Sequence, residues 1–234
     1  MQQPSAEAVE RHPHLGDPVP QGHVRVDMHL HSMWSGDSTT TPDELHEMAV
    51  ATAVDVLCVT DHHAIDGALR LAEELPCRVI VGEEVASHTG EIIGLFLSER
   101  IPQGLAAIET ATRIRDQGGV VYIPHPFDPM RRNLAEASLV ELTDLGLVDA
   151  IEVINAKTSL SSLNRRAADF AAAHDVLAGA GSDCHVPEAM GAAYVVMPDF
   201  DGPAEFLKSL ESGTPVGHHS DPPRKWRPRI VPSV

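Results

Sequence analysis

The sequence contains little cysteine, and none of it is spaced for metal or redox chemistry. Its 234 residues include three cysteines, Cys58, Cys77 and Cys184, with no CxxC pair among them. An odd number at these spacings disfavours both a disulfide framework and a thiolate zinc site. It favours a reducing cytoplasm as the location of the protein.

Long apolar runs and glycine-rich nucleotide motifs are absent as well. No stretch approaches the roughly 18 apolar residues that a membrane span needs. Residues 1–23 lack the basic-then-apolar order of a signal peptide. The sequence has neither a GxGxxG pattern nor a P-loop, so dinucleotide and nucleoside-triphosphate sites lose their usual support. We therefore expect a protein that acts away from membranes.

Basic side chains are scarce. The sequence has 17 Lys and Arg against 34 Asp and Glu, which gives a formal net charge of -17. A long nucleic-acid duplex is bound by neutralising its phosphates with basic side chains, so such a partner is disfavoured. A small phosphorylated substrate is compatible with this charge, because bound metal ions dominate the field around them.

Short β-type runs alternate with helical runs from residue 24 onward. The predicted strands cover residues 24–30, 55–60, 78–84, 91–97, 119–124, 149–155, 176–183 and 192–198. The predicted helices cover residues 41–52, 64–75, 103–119, 134–146, 161–175 and 203–213. Repeated alternation with near-continuous Val and Ile runs predicts a parallel sheet covered by helices, closed or nearly closed into a barrel.

The composition divides the chain into three segments. Residues 1–23 are rich in proline and histidine without an apolar period, which predicts a flexible arm. Residues 24–216 carry the strand-helix alternation and form the predicted barrel domain. Residues 217–234 are a proline-rich basic tail, in which the cluster RKWRPR indicates a solvated segment or a docking strip.

Histidines and carboxylates recur where the predicted strands end. In VDMHLHSMWSGDS, His29 and His31 share one strand face because side chains alternate along a strand. The later ends carry Asp61, His62, His63, Glu83, Glu84, His125, Asn155, Asp183 and His185, and Glu91 begins the fourth strand. Each motif alone has an ordinary explanation as a turn or helix cap. Because strand ends share one rim in a parallel barrel, their recurrence favours a metal site there.

The motifs resemble those of a known family when taken in order. HLH with an aspartate six residues on, TDHH, GxE, PHP and SDxH resemble the PHP (polymerase and histidinol phosphatase) family over about residues 24–200. The resemblance implies a distorted (β/α)7 barrel with a metal site at the C-terminal ends of its strands. It also implies up to three divalent metals and the hydrolysis of phosphoesters.

The resemblance implies a set of metal ligands as well. The first metal would have His29, His31, Glu84 and Asp183, the second would have His125 with Glu84 as a bridge, and the third would have Asp37, His62 and His185. Many members have a histidine where this chain has Glu91, which we take as its replacement, with His88 as the backup. Mixed imidazole and carboxylate ligands suit two or three ions of Mn, Fe or Zn.

The expected chemistry is hydrolysis by a hydroxide that bridges two metals on Glu84 and attacks phosphorus. His63 and His185 are both candidates for the general acid. A substrate phosphate also needs cations, and arginine matches its geometry best. The candidates are Arg131 and Arg132 first, then Lys157 and Arg165.

The sequence therefore predicts a hydrolase, a metal-dependent phosphoesterase. Its substrate would be a small phosphomonoester, or a nucleotide or oligonucleotide phosphoester. One alternative is a barrel amidohydrolase acting on a C–N bond, but such enzymes usually place a carbamylated lysine at a strand end, and Lys157 lies beyond Asn155. The other alternative is a non-catalytic PHP module, which loss of ligands would mark.

Overall fold

The strands of residues 3–223, the part of the chain that the computed structural model describes, form one continuous sheet. They are β1 His23–Leu30, β2 Val56–Val59, β3 Arg78–Ser87, β4 Gly90–Leu95, β5 Val120–Ile123, β6 Ala150–Asn155, β7 Leu177–Gly181, β8 Ala193–Pro198 and β9 Thr214–Gly217. The order across the sheet is β7-β6-β5-β4-β3-β2-β1-β8-β9. The predicted α/β barrel is confirmed.

Helices follow most of the strands and cover the sheet. They are α1 Ala6–Arg11, α2 Pro42–Thr52, α3 Asp66–Glu74, α4 Ala107–Asp116, α5 Glu136–Asp144, α6 Ser161–His174 and α7 Gly202–Leu210. The start of α2 is fixed locally, because Thr41 and Glu44 form a reciprocal capping box with Pro42 in the first turn. No helix of the described residues combines the length and apolar character needed to span a bilayer.

The sheet is mixed, whereas the sequence predicted a parallel one. Strands β1 to β3 are parallel to one another, and so are β5 to β7. Strand β4 is antiparallel to both β3 and β5, because a short hairpin rather than a helix connects it to β3. Strands β8 and β9 also pair antiparallel, beside β1. The parallel prediction is thus wrong for β4 and β8, and the sequence reasoning did not predict β9 as a strand.

The barrel closes where the segment after β7 meets β1. The Asp183 N–H donates to the His29 carbonyl at 2.7 Å, and the His31 N–H donates to the Cys184 carbonyl at 3.0 Å. A Cβ added to Gly181 would lie 2.4 Å from His29 Cβ, so only glycine allows this close approach. The first and last parallel strands therefore lie side by side at the rim.

Residues 6–16 are packed, so the predicted flexible arm is wrong there. Helix α1 and a 3-10 turn at Pro13–Gly16 place Leu15, which is fully buried, against Tyr194. The Arg25 guanidinium donates to the Leu15 carbonyl at 2.8 Å. These contacts link residues distant in sequence, so a local apolar period could not indicate them.

The C-terminal boundary of the folded region also differs from the prediction, which placed the end of the barrel domain at residue 216. Gly217 ends β9, and the Ser220 N–H donates to the Ala156 carbonyl at 2.8 Å beyond the end of β6. The predicted basic cluster RKWRPR lies outside the described residues.

Candidate metal centre

The predicted ligand residues meet at one end of the barrel. Strands β1, β2, β3, β5, β6 and β7 share one direction, so their C-terminal ends lie on the same rim. The hairpin returns β4 from this rim, and Glu91 pairs with Ala86 near its turn. This is why a residue at the start of β4 joins residues at the ends of the other strands.

Glu84 lies at the middle of the cluster and is almost fully buried. Its Oε1 is 2.9 Å from His125 Nε2. Its Oε2 is 3.3 Å from His29 Nε2, 3.2 Å from His31 Nε2 and 3.3 Å from His62 Nδ1. Burial raises the pKa of Glu84, but His29 and His125 outweigh it and hold that pKa well below its usual value. One carboxylate thus faces four imidazoles.

Four sets of side chains have potential ligand atoms within 4.8 Å of one another. They are His31, Asp37, His62 and His185; His29, His31 and Glu84; His29, His125 and Asp183; and His62, Glu84 and Glu91. These sets contain each of the predicted ligand positions. The backup residue His88 belongs to none of them and is exposed on the β3–β4 turn.

The arrangement of lone pairs fits a bound cation. His29 Nε2 and His31 Nε2 lie 3.1 Å apart, and both side chains are fully buried. Two neutral imidazoles at this distance need a proton or a metal between them. His62 Nδ1 is also buried without a hydrogen-bond partner among the described residues. Imidazole and carboxylate donors without thiolate suit Mn, Fe or Zn.

Glu91 lies beside the cluster at a slightly longer range. Its Oε1 is 3.9 Å from His62 Nδ1, and its Oε2 is 3.8 Å from His125 Nε2. Burial and then the charge of Glu84 raise the pKa of Glu91 to about 7. Its carboxylate therefore lies beside the candidate ligands His62 and His125.

The sequence reasoning missed Glu152, a fully buried carboxylate behind the cluster. It lies 3.2 Å from His29 Nδ1 and accepts the His125 backbone N–H at 2.6 Å and the Asn155 amide at 2.9 Å. Burial lowers the pKa of His29, but the charges of Glu152, Glu84 and Asp183 outweigh it and raise that pKa well above its usual value. The only sequence signal was a glutamate inside the apolar run AIEVIN.

Two serines of the first loop were missed as well. Ser35 Oγ is 2.9 Å from His31 Nδ1 and donates to Asp37 Oδ1 at 3.0 Å. The Ser32 backbone N–H donates to Asp61 Oδ1 at 2.6 Å, which fixes the loop to the end of β2. Asp61 is thus a buried anchor for the loop, and burial raises its pKa to about 6.

The predicted phosphate-binding residues divide into three locations. Arg131 and Arg132 line a cavity of about 180 Å³ together with Glu84, Glu91 and other cluster residues. Lys157 is buried, with Nζ 3.4 Å from Asp183 Oδ1 and 2.9 Å from His185 Nδ1. Arg165 is exposed, donates to Ser161 Oγ within α6 and does not line this cavity.

The two candidate general acids also differ in position. His185 lies in the cluster, with Nε2 2.9 Å from Asp37 Oδ2. His63 is partly exposed and has a positive φ of 56°, and its Nδ1 is buried with no hydrogen-bond partner in residues 3–223. Burial, followed by the charge of His62, lowers the pKa of His63. Cys184, between the two candidate ligands of SDCH, packs in an apolar cluster.

Fold and site together define an α/β-barrel protein with a candidate centre for several metal ions at the C-terminal ends of its strands. The chain belongs to the PHP domain family, whose model matches residues 27–149, just over half of its length. A second model, described as PHP-associated, matches residues 161–215.

Individual relatives agree with this placement. An uncharacterized protein of Methanocaldococcus jannaschii is 34% identical over 200 residues, which cover 82% of this chain and 81% of that protein. A two-domain protein of Bacteroides vulgatus containing a predicted PHP-like metal-dependent phosphoesterase superposes with a TM-score of 0.67 at 18% identity, over 86% of this chain and 67% of that one. The lesion-specific endonuclease EndoQ of Pyrococcus furiosus gives 0.60 at 17% identity, over 81% and 56%. These two structures show the shared fold.

Proposed function

We propose that the protein is a metal-dependent phosphoesterase that hydrolyses a small phosphomonoester or the phosphoester of a nucleotide or short oligonucleotide. One observation carries the proposal. The buried cluster of imidazoles and carboxylates around Glu84 opens into a cavity that is also lined by two arginines with no carboxylate of residues 3–223 within 4.0 Å.

Five basic side chains of the described residues have no carboxylate within 4.0 Å, and of these five only Arg131 and Arg132 line the cavity. Most basic side chains of the described residues have a carboxylate within 4.0 Å, namely Arg11, Arg70, Arg78, Arg100, Arg113, Arg115, Lys157 and Arg166. Within that part of the chain, Arg131 makes a side-chain hydrogen bond only to the Lys157 carbonyl, and Arg132 makes none. Guanidinium groups that have no nearby carboxylate are well suited to a phosphate, which they bind through parallel N–H···O hydrogen bonds.

The residues that would hold the ions are the four sets around Glu84 described above. The chemistry that divalent ions supply when bound there is a lowered pKa for water, polarised phosphoryl oxygens and a stabilised leaving oxygen. Glu152 keeps the His29 ring oriented through Nδ1, so that Nε2 faces the cluster. We assign the phosphate to Arg131 and Arg132, and proton donation to the leaving oxygen to either His185 or His63.

The alternatives have weaker support from the geometry. In an amidohydrolase, a carbamylated lysine would bridge two metals, but here Glu84 occupies the central position and Lys157 is ion-paired with Asp183. A non-catalytic module would be expected to lose ligands, whereas this chain brings a donor from each predicted position into the cluster. Measuring phosphate release against ammonia release separates the first alternative from the proposal.

A pair of adjacent glutamates tests the proposal. Glu83 has its Oε2 on the Ile101 N–H at 2.7 Å, away from the cluster, while Glu84 faces four histidines. We expect Glu84→Gln to reduce phosphate release by at least about 1,000-fold, because the central charge holds the ions together. Glu83→Gln, the matched control, should retain near wild-type turnover.

The measurement uses protein purified without added metal, analysed for bound metal and then assayed on a panel of phosphomonoesters and nucleotides with each metal restored. Circular dichroism confirms that both variants are folded. Wild-type rates in Glu84→Gln, or no hydrolysis of any phosphomonoester, nucleotide or short oligonucleotide by metal-loaded wild-type protein, would remove the proposed function.

A further inference from the structure

The two most exposed large apolar side chains of the described residues lie near the candidate centre. Met130 is 78% exposed and Leu160 is 62% exposed. Met130 lies in the loop between β5 and α5, and Leu160 immediately precedes α6. Apolar residues scattered singly over a surface need no explanation. Their loops, however, are joined through one carboxylate, which accepts hydrogen bonds from Met130 and from Ser159, the residue before Leu160.

That carboxylate is Asp128, which is fully buried. Its Oδ1 accepts the Met130 backbone N–H at 3.0 Å and the Ser159 hydroxyl at 2.8 Å, and its Oδ2 accepts the Ser159 N–H at 2.8 Å. The Arg131 N–H donates to the Asp128 carbonyl at 3.0 Å and completes a turn. The loops that carry Met130 and Leu160 are therefore fixed to each other, and the exposure of Met130 belongs to a hydrogen-bonded turn.

The same turn carries the cations proposed to bind phosphate. Met130, Arg131 and Arg132 all line the cavity that contains Glu84. The Arg131 side chain donates to the Lys157 carbonyl at 3.2 Å, a second link between the two loops. A phosphoester with its phosphate at these arginines would bring its organic group against Met130.

We propose that Met130 and Leu160 bind the organic group of the substrate, and that this group contains an aromatic ring, as in a nucleoside monophosphate. This inference rests on the proposed phosphoesterase function. A methionine thioether makes favourable contacts with aromatic rings. A sugar phosphate has no aromatic ring and does not offer this interaction.

The test compares phosphate release from adenosine 5′-monophosphate and from ribose 5-phosphate by the metal-reconstituted full chain. The quantity measured is the ratio of the two kcat/KM values. We expect the wild-type protein to prefer the nucleotide, and Met130→Ser to lower the ratio about tenfold through a higher KM for the nucleotide, since burial of one methionine contributes about that much. Leu160→Ser should lower the ratio in the same direction.

Leu145→Ser is the matched control, because Leu145 is 56% exposed but follows α5, at the opposite end of the barrel where β6 begins. It should keep the wild-type ratio. Two results would overturn this inference while phosphate release stays intact: a wild-type ratio near one, or a ratio that neither Met130→Ser nor Leu160→Ser changes. Either result leaves the proposed function standing. Absence of hydrolysis of both substrates, of p-nitrophenyl phosphate and of a short oligonucleotide overturns the proposed function and this inference with it.

Discussion

At the residue scale, the candidate centre depends on a carboxylate that is not itself a proposed ligand. Glu152 contacts His29 Nδ1 and also accepts the backbone N–H of His125, so it positions two proposed ligands, one in β1 and one just after β5. A carboxylate behind a metal-binding imidazole fixes its tautomer and increases its basicity. Glu152, which lies behind the cluster, therefore orients the proposed ligands.

Removing this charge should weaken metal binding without removing any proposed ligand. We expect Glu152→Gln to lower the affinity for Mn²⁺ or Zn²⁺ by about 10- to 100-fold, measured by competition with a chelator. Glu136→Gln is the control, because Glu136 forms only an exposed ion pair with Arg166. Equal affinities in the two variants and the wild-type protein would show that Glu152 does not orient the ligands.

At the scale of elements, two local features decide whether the rim is complete. The hairpin between β3 and β4 reverses the chain early enough to return Glu91 to the cluster. The end of β7 approaches β1 so closely that the backbone of Asp183 bonds to that of His29. Both features bring proposed ligands from different strands close to one another.

Gly181 is the position where this approach can be tested. An added Cβ would lie 2.4 Å from His29 Cβ and 2.7 Å from Glu152 Oε1, so the two strands must separate. We expect Gly181→Ala to lower the free energy of unfolding by about 1–3 kcal/mol, the usual cost of overpacking, measured by urea denaturation. We also expect weaker metal binding, because His29 moves. A variant within about 0.5 kcal/mol of wild type would contradict the close approach.

At the scale of the whole molecule, a second histidine cluster joins the two ends of the described chain. His12 is fully buried, with Nδ1 3.0 Å from His218 Nε2 and Nε2 3.1 Å from the Glu188 carbonyl. His14 Nε2 lies 2.9 Å from the Gly191 carbonyl. Burial lowers the pKa of His12 to about 4, and burial also lowers the pKa values of His14 and His218.

These shifts predict a loss of stability in acid. A histidine whose folded pKa lies below its unfolded value of 6.5 binds fewer protons when folded, so its contribution is present above pH 6.5 and declines as the pH falls toward 4. We expect the free energy of unfolding to decrease by on the order of 1 kcal/mol per pH unit across this window. The measurement is urea denaturation of the metal-free protein at pH 7 and pH 5.

His12→Gln supplies the comparison, because glutamine keeps hydrogen-bonding capacity but does not titrate. The variant should be less dependent on pH than the wild-type protein between pH 7 and pH 5. An identical pH dependence in both proteins would assign the acid sensitivity to groups other than His12.

Much of the fold and the cluster could be predicted from the sequence, and the failures share a cause. The alternation of strands and helices and the histidines at strand ends are local patterns, so they were visible. The direction of β4, the packing of α1 and the role of Glu152 depend on contacts between segments far apart in the chain. Glu152 in particular looked like one polar residue in an apolar strand.

The sequence by itself determined the chemistry available to this protein. The sequence sets the type, the order and the placement after β-strands of the candidate imidazole and carboxylate ligands from His29 to His185. Only the tertiary structure decided which groups face each other: Glu84 among four histidines, two arginines without acidic partners, and Met130 at the cavity. The physical reason is that donor type is a property of one residue, whereas distance, burial and charge pairing arise only when separate strands come together.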